Sequence, residues 1–186
     1  MQKNVFISLD GVDGVGKTTV ALLLAEQGFQ YYKSPSGPFA ELRKEIDLRA
    51  NPLERYCFYM MAIQYDTQHI TDLLKNGPVV ADRYVATTAA YHYVLDERVR
   101  LIHTDIHLLQ PDYAFNLNCD KGIRDQRIAG RRRNLSDAKL ENNSPFLDQV
   151  NDVFLSFNLI YLDTGVMTAL ETAEKIKNHI AGRVSA

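Results

Sequence analysis

Residues Gly11 to Thr18 read G-V-D-G-V-G-K-T, three spaced glycines closed by a lysine and a hydroxyl. The chemistry that this spacing serves is the binding of a polyphosphate. Glycine reaches backbone torsions closed to other residues, so Gly11, Gly14 and Gly16 let successive N–H groups of the loop turn inward onto phosphate oxygens. Lys17 then reaches the β- and γ-phosphates and Thr18 a Mg²⁺ ion. The stretch Gly11–Thr19, with Val12, Asp13 and Val15 in the loop and Thr19 just past it, is the candidate ATP-binding segment. A second group is Asp82-Arg83-Tyr84, directly after the apolar run Pro78–Ala81. A carboxylate at that point holds the Mg²⁺ shell through water, and the guanidinium beside it faces an acceptor phosphate. A third is the run Arg124, Arg127, Arg131, Arg132, Arg133. Arg127 and Arg131 are four apart and share a helical face, the spacing needed to close cations over a transferring phosphoryl group. They lead into a polar segment suited to a lid, which must open for a nucleotide and close against water. His103 and His107 flank Asp105 at helical spacing, but no third ligand accompanies them and an ordinary surface pair is expected.

These groups need a frame that brings them to one edge. Apolar β-rich runs at 5–9, 29–32, 79–81, 113–117 and 159–162 alternate with helical patterns. Such alternation predicts a parallel sheet covered on both faces, with ligands at the carboxyl ends of its strands. The clearest helical patterns fall at 18–26, 39–48, 52–75, 98–109, 121–132, 145–157 and 167–180. Met167, Leu170, Ala173, Ile176 and Ile180 recur at helical spacing, as do Phe146, Val150, Val153, Phe154 and Phe157; both stripes are expected in the core. At 186 residues the chain fits one domain. Its 21 basic and 23 acidic side chains nearly balance, so no global field argues for a nucleic acid or a membrane as partner. Cys57 and Cys119 stand apart among apolar residues and are expected as buried free thiols in a cytoplasmic protein.

The segments F-I-S-L-D-G-V-D-G-V-G-K-T-T, V-V-A-D-R-Y-V-A-T-T-A-A-Y and Q-P-D-Y-A-F-N-L-N-C-D, followed by the arginine-rich run, resemble the thymidylate kinase family in order and spacing across most of the chain. The resemblance implies an α/β fold of the P-loop NTPase type: a three-layer sandwich with a five-stranded parallel sheet, flanking helices and an arginine-rich lid at about 131–144. It implies ATP and Mg²⁺ as cofactors, with Lys17, Asp82, Arg83, Arg127 and Arg131 catalytic and Arg132 on the ATP side. Thr18 and Asp82 would serve the metal. The acceptor side so implied comprises Asp13, Lys33, Arg43, Phe58, Gln64, Arg83 and Tyr91. Gly14 stands where some members carry a loop arginine, and members without it place arginine in the lid. Lys33-Ser34-Pro35 stands where the family often has Arg-Glu-Pro, so Lys33 keeps a charge without the bidentate fork and Ser34 lacks the carboxylate. The family's base-reading arginine falls at Gln64, Tyr65 or Asp66. The apolar positions of this third helix could instead serve a homodimer contact.

The leading expectation is transfer of the γ-phosphoryl of ATP to a nucleoside monophosphate such as dTMP. A deoxynucleoside kinase is the alternative; its hydroxyl acceptor benefits from a carboxylate base near the end of the second strand, where this chain has Ser34, leaving Asp10 or Asp13 as substitutes. Another small-molecule kinase would suit the altered base pocket. A nucleotide-binding module without transfer is a further class, but a guanine-specific switch would need an Asn/Thr-Lys-x-Asp reader, and none occurs.

Overall fold

Five short strands form one sheet in a computed structural model that describes residues 4–102, 108–130 and 144–184. They are β1 (Phe6–Asp10), β2 (Gln30–Lys33), β3 (Val79–Asp82), β4 (Tyr113–Asn118) and β5 (Ile160–Asp163), all parallel, in the order β2-β3-β1-β4-β5. All five agree with the expected runs to within a residue or two at each end. β1 lies in the middle and is buried throughout. Its side chains alternate between two apolar layers. Ile7 and Leu9 pack with Val20 and Leu24, while Phe6 packs with Tyr56, Met60, Ile63 and Ile70.

The helices are α1 (Lys17–Glu26), α2 (Gly37–Arg49), α3 (Pro52–Leu73), α4 (Val85–Leu95), α5 (Lys121–Ala129), α6 (Ser144–Ser156) and α7 (Ala169–Val184). α1 packs on α7, and α3 packs on α4, which packs on α6. The result is the expected three-layer α/β arrangement, and all three loop-bearing strands β1, β2 and β3 end at the same edge. α3 starts where Asn51 caps it: its side chain accepts from the N–H groups of Leu53 and Glu54, and the Glu54 carboxylate returns to the Asn51 N–H.

Two helix expectations are corrected. The pattern at 98–109 is not one helix: a 3₁₀ turn occupies Glu97–Leu101 and Leu108–Gln110 is not helical, while 103–107, with His103, Asp105 and His107, lie outside the described residues. Pro111 disfavours a helical Gln110 before it, and Asp96 caps the start of the short turn by accepting from the Arg98 N–H. Conversely, α4 was not among the expected helices, because V-A-T-T-A-A-Y-H-Y-V-L mixes β-branched and aromatic residues and its cap residue, Tyr84, makes no side-chain cap. Its N-terminus is instead served by Asp10 of β1. The Asp10 Oδ1 accepts from the N–H groups of Tyr84 (3.1 Å) and Thr87 (2.9 Å) and from the Thr87 hydroxyl (2.6 Å).

Of the two apolar stripes, that of α6 is core as expected, with Phe146, Val150, Val153 and Phe154 buried. In α7 (Ala169–Val184) Ala173 and Ile176 are fully buried, but Leu170, in its first turn, is half exposed. Cys57 and Cys119 are free thiols, as expected, but neither is buried: Cys57 is exposed on α3 and Cys119 is half-buried after β4. Among the described residues no helix is long and apolar enough to cross a membrane.

Candidate active site

The glycine loop connects β1 to α1 at the carboxyl edge of the sheet. Gly11 has φ 131° and a Cβ there would lie 2.2 Å from the Leu117 carbonyl oxygen, so β4 leaves no room for any side chain. Gly14 has φ 87°, and its Cβ would lie 2.7 Å from the Arg124 Cγ and 2.9 Å from the Ile128 Cγ1. α5 therefore roofs the loop at the position where an arginine could otherwise stand. Gly14→Ala combines a disfavoured torsion with that overlap and is expected to cost about 2 kcal/mol. Differential scanning calorimetry should show it as a fall of roughly 5 °C in melting temperature.

Val12 and Val15 are buried under the loop, while Gly16, in the left-handed region, opens α1. α1 has no side-chain cap and no acidic residue in its first turn. Its first N–H groups and the positive end of its dipole are left for an anion. Lys17 turns back across the loop, its Nζ donating to the carbonyls of Gly11 (2.8 Å) and Val12 (2.7 Å). Burial pushes its pKa down to about 8; Arg83 works in the same direction and Asp13, Asp82 and Asp10 oppose it.

Thr18 and Thr19 are exposed at the start of α1. The Thr18 Oγ1 donates to the Asp82 Oδ2 at 2.5 Å, so the loop hydroxyl and the β3 carboxylate that the sequence singled out do meet. A further donor reaches the same oxygen: the Tyr31 hydroxyl, from the edge strand β2, at 3.3 Å. Burial, with Asp82 adding to it, pushes the Tyr31 phenol up to about 12, so it stays a donor at neutral pH. Sequence reasoning missed Tyr31. Its signal was position alone, two residues before Lys33 on a strand whose register sets Lys33 opposite Asp82.

Arg83 sits at φ 75°, a left-handed torsion rarely held by a non-glycine residue. Its guanidinium pairs with Asp13 of the loop. Burial alone would lower the Arg83 pKa, but Asp13, Tyr91, Asp82 and Asp10 together raise it, so the group is firmly cationic. Asp13, Arg83 and Tyr91 thus form one cluster between the loop, β3 and α4. Tyr91 also meets Phe146 edge-on at 5.9 Å between ring centres.

The other acceptor-side candidates are spread over α2 and α3. Lys33 is exposed at the end of β2. Arg43 pairs with Asp47 one turn along α2, and the Asp47 Oδ1 also accepts from the Tyr59 hydroxyl at 2.8 Å. Phe58 is half-buried against Phe39 and Tyr59. Gln64 is half-buried, and its Oε1 is buried without a hydrogen-bond partner. Of the three positions that could carry the base-reading group, Tyr65 packs on Phe39 and His69, and Asp66 is turned toward the end of β2. Gln64 is the one of the three with a buried polar atom that has no hydrogen-bond partner among the described residues.

Arg127 does not point free over the loop. Its guanidinium donates to the Thr164 Oγ1 (3.1 Å) and carbonyl (2.7 Å), and the Thr164 hydroxyl in turn donates to the Val15 carbonyl at 2.8 Å. In this state Arg127 ties the turn after β5 to the underside of the loop. Arg124, expected as part of a basic cluster, is buried against Gly14. Arg131, Arg132 and Arg133, with the lid expected at 131–144, fall almost wholly outside the described residues.

The thymidylate kinase family model matches residues 9–180, a span that runs from the end of β1 into α7. The chain belongs to the thymidylate kinase family. It is therefore a nucleotide kinase, a phosphotransferase. A probable thymidylate kinase of Methanocaldococcus jannaschii is 28% identical over 98% of this chain and 96% of its own length. The thymidylate kinase of Mycoplasma genitalium is also 28% identical, over 84% of this chain and 83% of its own. Among solved structures, thymidylate kinase from Candida albicans shares the fold with a TM-score of 0.77 at 19% identity, covering 97% of this chain and 92% of that one. A deoxyadenosine kinase from M. mycoides, solved with dCMP and dCDP, aligns with a TM-score of 0.72 at 15% identity over 95% and 99% of the two chains.

Proposed function

We propose that this kinase transfers the γ-phosphoryl group of ATP to a deoxynucleoside monophosphate such as dTMP. The observation that carries the monophosphate reading is the state of the carboxylates at the carboxyl edge of the sheet. A hydroxyl acceptor needs a base, yet the end of β2 carries Ser34 rather than a carboxylate, Asp10 is spent on the start of α4, and Asp66 accepts from Ser34, Ser36 and Tyr32. A monophosphate is already an anion and needs no base, only positioning and neutralisation.

In this reading the loop amides of Gly11–Gly16 and the first turn of α1 hold the polyphosphate, and Lys17 leaves its two carbonyls to reach the β- and γ-phosphates. The oxygen donors of Thr18 and Asp82 suit Mg²⁺, a hard cation that takes one or two protein oxygens and keeps waters. When bound there, the ion would neutralise charge on the phosphate oxygens. Arg83, released from Asp13, takes the acceptor phosphate with Lys33. Asp13 then faces the acceptor sugar, while Phe58 and Tyr91 border the base. The orphaned Gln64 Oε1 supports a base that carries an imide N–H, as thymine and uracil do. Arg131 and Arg132 would close over the ATP phosphates from the lid, and Arg127 would join them by giving up Thr164.

The same reading makes the 186 residues one kinase domain acting on small nucleotides in the cytoplasm, a compartment supported by two unpaired cysteines. A homodimer is proposed through the outer face of α3 and the neighbouring α2, where Met61, Leu42 and Leu48 are exposed.

A coupled ADP-release screen tests the acceptor. We expect turnover with dTMP or dUMP and none above background with thymidine or deoxyadenosine. Turnover with the nucleosides alone would replace this reading by that of a nucleoside kinase, and no acceptor-dependent release at all would leave a binding module.

A further inference from the structure

Asp66 lies in the middle of α3 with none of its surface exposed, and among the described residues no cation is paired with it. A buried carboxylate is costly unless donors surround it. Here every donor comes from one short segment, the end of β2 and the turn after it. The Oδ2 accepts from the Ser34 hydroxyl at 2.6 Å. The Oδ1 accepts from the Ser36 N–H at 3.3 Å, and it lies 2.6 Å from the Ser36 hydroxyl and 2.9 Å from that of Tyr32. Those two hydroxyls are themselves 2.6 Å apart, so two protons serve three edges of a closed triangle. Charged acceptors make shorter and stronger bonds than neutral ones. The turn is therefore fastened to α3 at three residues by a single side chain.

The fastened segment is the one that carries Lys33. In the sheet register Lys33 stands opposite Asp82, and the next residue, Ser34, donates its N–H to the Asp82 carbonyl at 3.4 Å. The alternation of β2 puts Tyr32 on the α3 face, where it meets Asp66, and Tyr31 on the opposite face, where it meets Asp82. Lys33 shares the face of Tyr31. α3 also bounds the turn from the other end, because a Cβ on Gly37 would lie 2.7 Å from the Tyr65 hydroxyl.

We infer that Asp66 is a positioning residue for the acceptor phosphate: through Ser34, Ser36 and Tyr32 it holds the β2–α2 turn so that Lys33 stands beside Asp82 and Arg83. The inference rests on the monophosphate reading given above. It explains why a carboxylate is kept in an apolar interior by three hydroxyls and one backbone N–H. It also supplies from α3 the negative charge that Ser34 lacks at the end of β2.

Asp66→Asn keeps the shape but turns an amide N–H₂ toward donors. The KM for the monophosphate is expected to rise about tenfold, with kcat and the KM for ATP within about twofold of the parent. Lys33→Ala decides whether the effect runs through Lys33. In the double variant the KM should be no higher than in Lys33→Ala alone, because Asp66 has nothing left to position. A merely structural Asp66 would lower the melting temperature and the active fraction, and its effect would multiply with that of Lys33→Ala. Should Asp66→Asn not fold, Ser36→Ala, which leaves the carboxylate two hydroxyl donors, takes its place in the same cycle with an expected rise of about threefold. An unchanged KM, or a double variant in which the two effects multiply, overturns the inference while leaving the monophosphate reading intact. A parent protein that uses no monophosphate overturns both.

Discussion

Replacing Lys17 by Met should lower the rate of phosphoryl transfer at least about a thousandfold while raising the melting temperature of the ligand-free protein. Both halves follow from one geometry. The ammonium is buried, held by two carbonyls, and its pKa is depressed to about 8. The charge is therefore a burden on the fold of the ligand-free protein, and in the proposed complex it would meet developing negative charge in a place where water is excluded. The sign is testable by pH. Between about 8 and 10.5 the unfolded chain holds a proton that folded Lys17 has lost. Unfolding free energy must then rise with pH across that window, and the full penalty stands below it. Met removes the penalty, worth on the order of 3 kcal/mol, so the variant should gain roughly 5–10 °C at pH 7 and show a flatter stability profile from pH 8 to 10.5. Retained turnover, or a clear fall in melting temperature at neutral pH, would falsify this account of Lys17.

Arg83 offers the second large effect, again with opposite consequences for function and stability. It holds φ 75°, which for a residue with a Cβ costs roughly 1 kcal/mol or more, and it does so with its guanidinium turned to Asp13. A strained backbone at the end of β3 is retained where the side chain has to be aimed at a ligand. Arg83→Ala keeps the strain and loses the cation; Arg83→Gly loses both. Each should raise the KM for the monophosphate about a hundredfold, the loss of a charge-assisted pair, with the KM for ATP changed less than about threefold. The glycine variant should melt several degrees above the alanine variant. Equal loss of affinity for ATP and monophosphate would move Arg83 off the acceptor side, and equal melting temperatures would remove the strain argument.

The frame was legible because it is local. The strands follow short β-rich runs, and in β1 and β3 burial on both faces writes that run into consecutive residues rather than into spacing. The loop was legible for a similar reason: its function is carried by backbone torsions that only glycine permits, so the sequence displays them at fixed intervals. Asp82 and Arg83 could be placed at the ligand edge because they directly follow the apolar run Pro78–Ala81.

What escaped the sequence are interactions between residues far apart in the chain. α4 had no visible start, since its cap is Asp10, 74 residues before the first amide it receives. The roof over Gly14 comes from Arg124 and Ile128, and the anchor of Arg127 is Thr164, 37 residues on. Tyr31 and Asp66 became meaningful only when β2 paired with β3 and α3 crossed beneath the turn.

By itself, then, the chain's order of residues determined the sheet, the phosphate loop and the edge at which chemistry happens, because backbone torsion and side-chain burial are dictated by neighbours in sequence. Tertiary structure alone decided which carboxylates remain available. Asp10, Asp13 and Asp66 are equivalent as letters, yet one caps a helix, one pairs with Arg83 and one fastens a turn. A carboxylate's role is set by the donors that surround it, and those donors are assembled only by the fold.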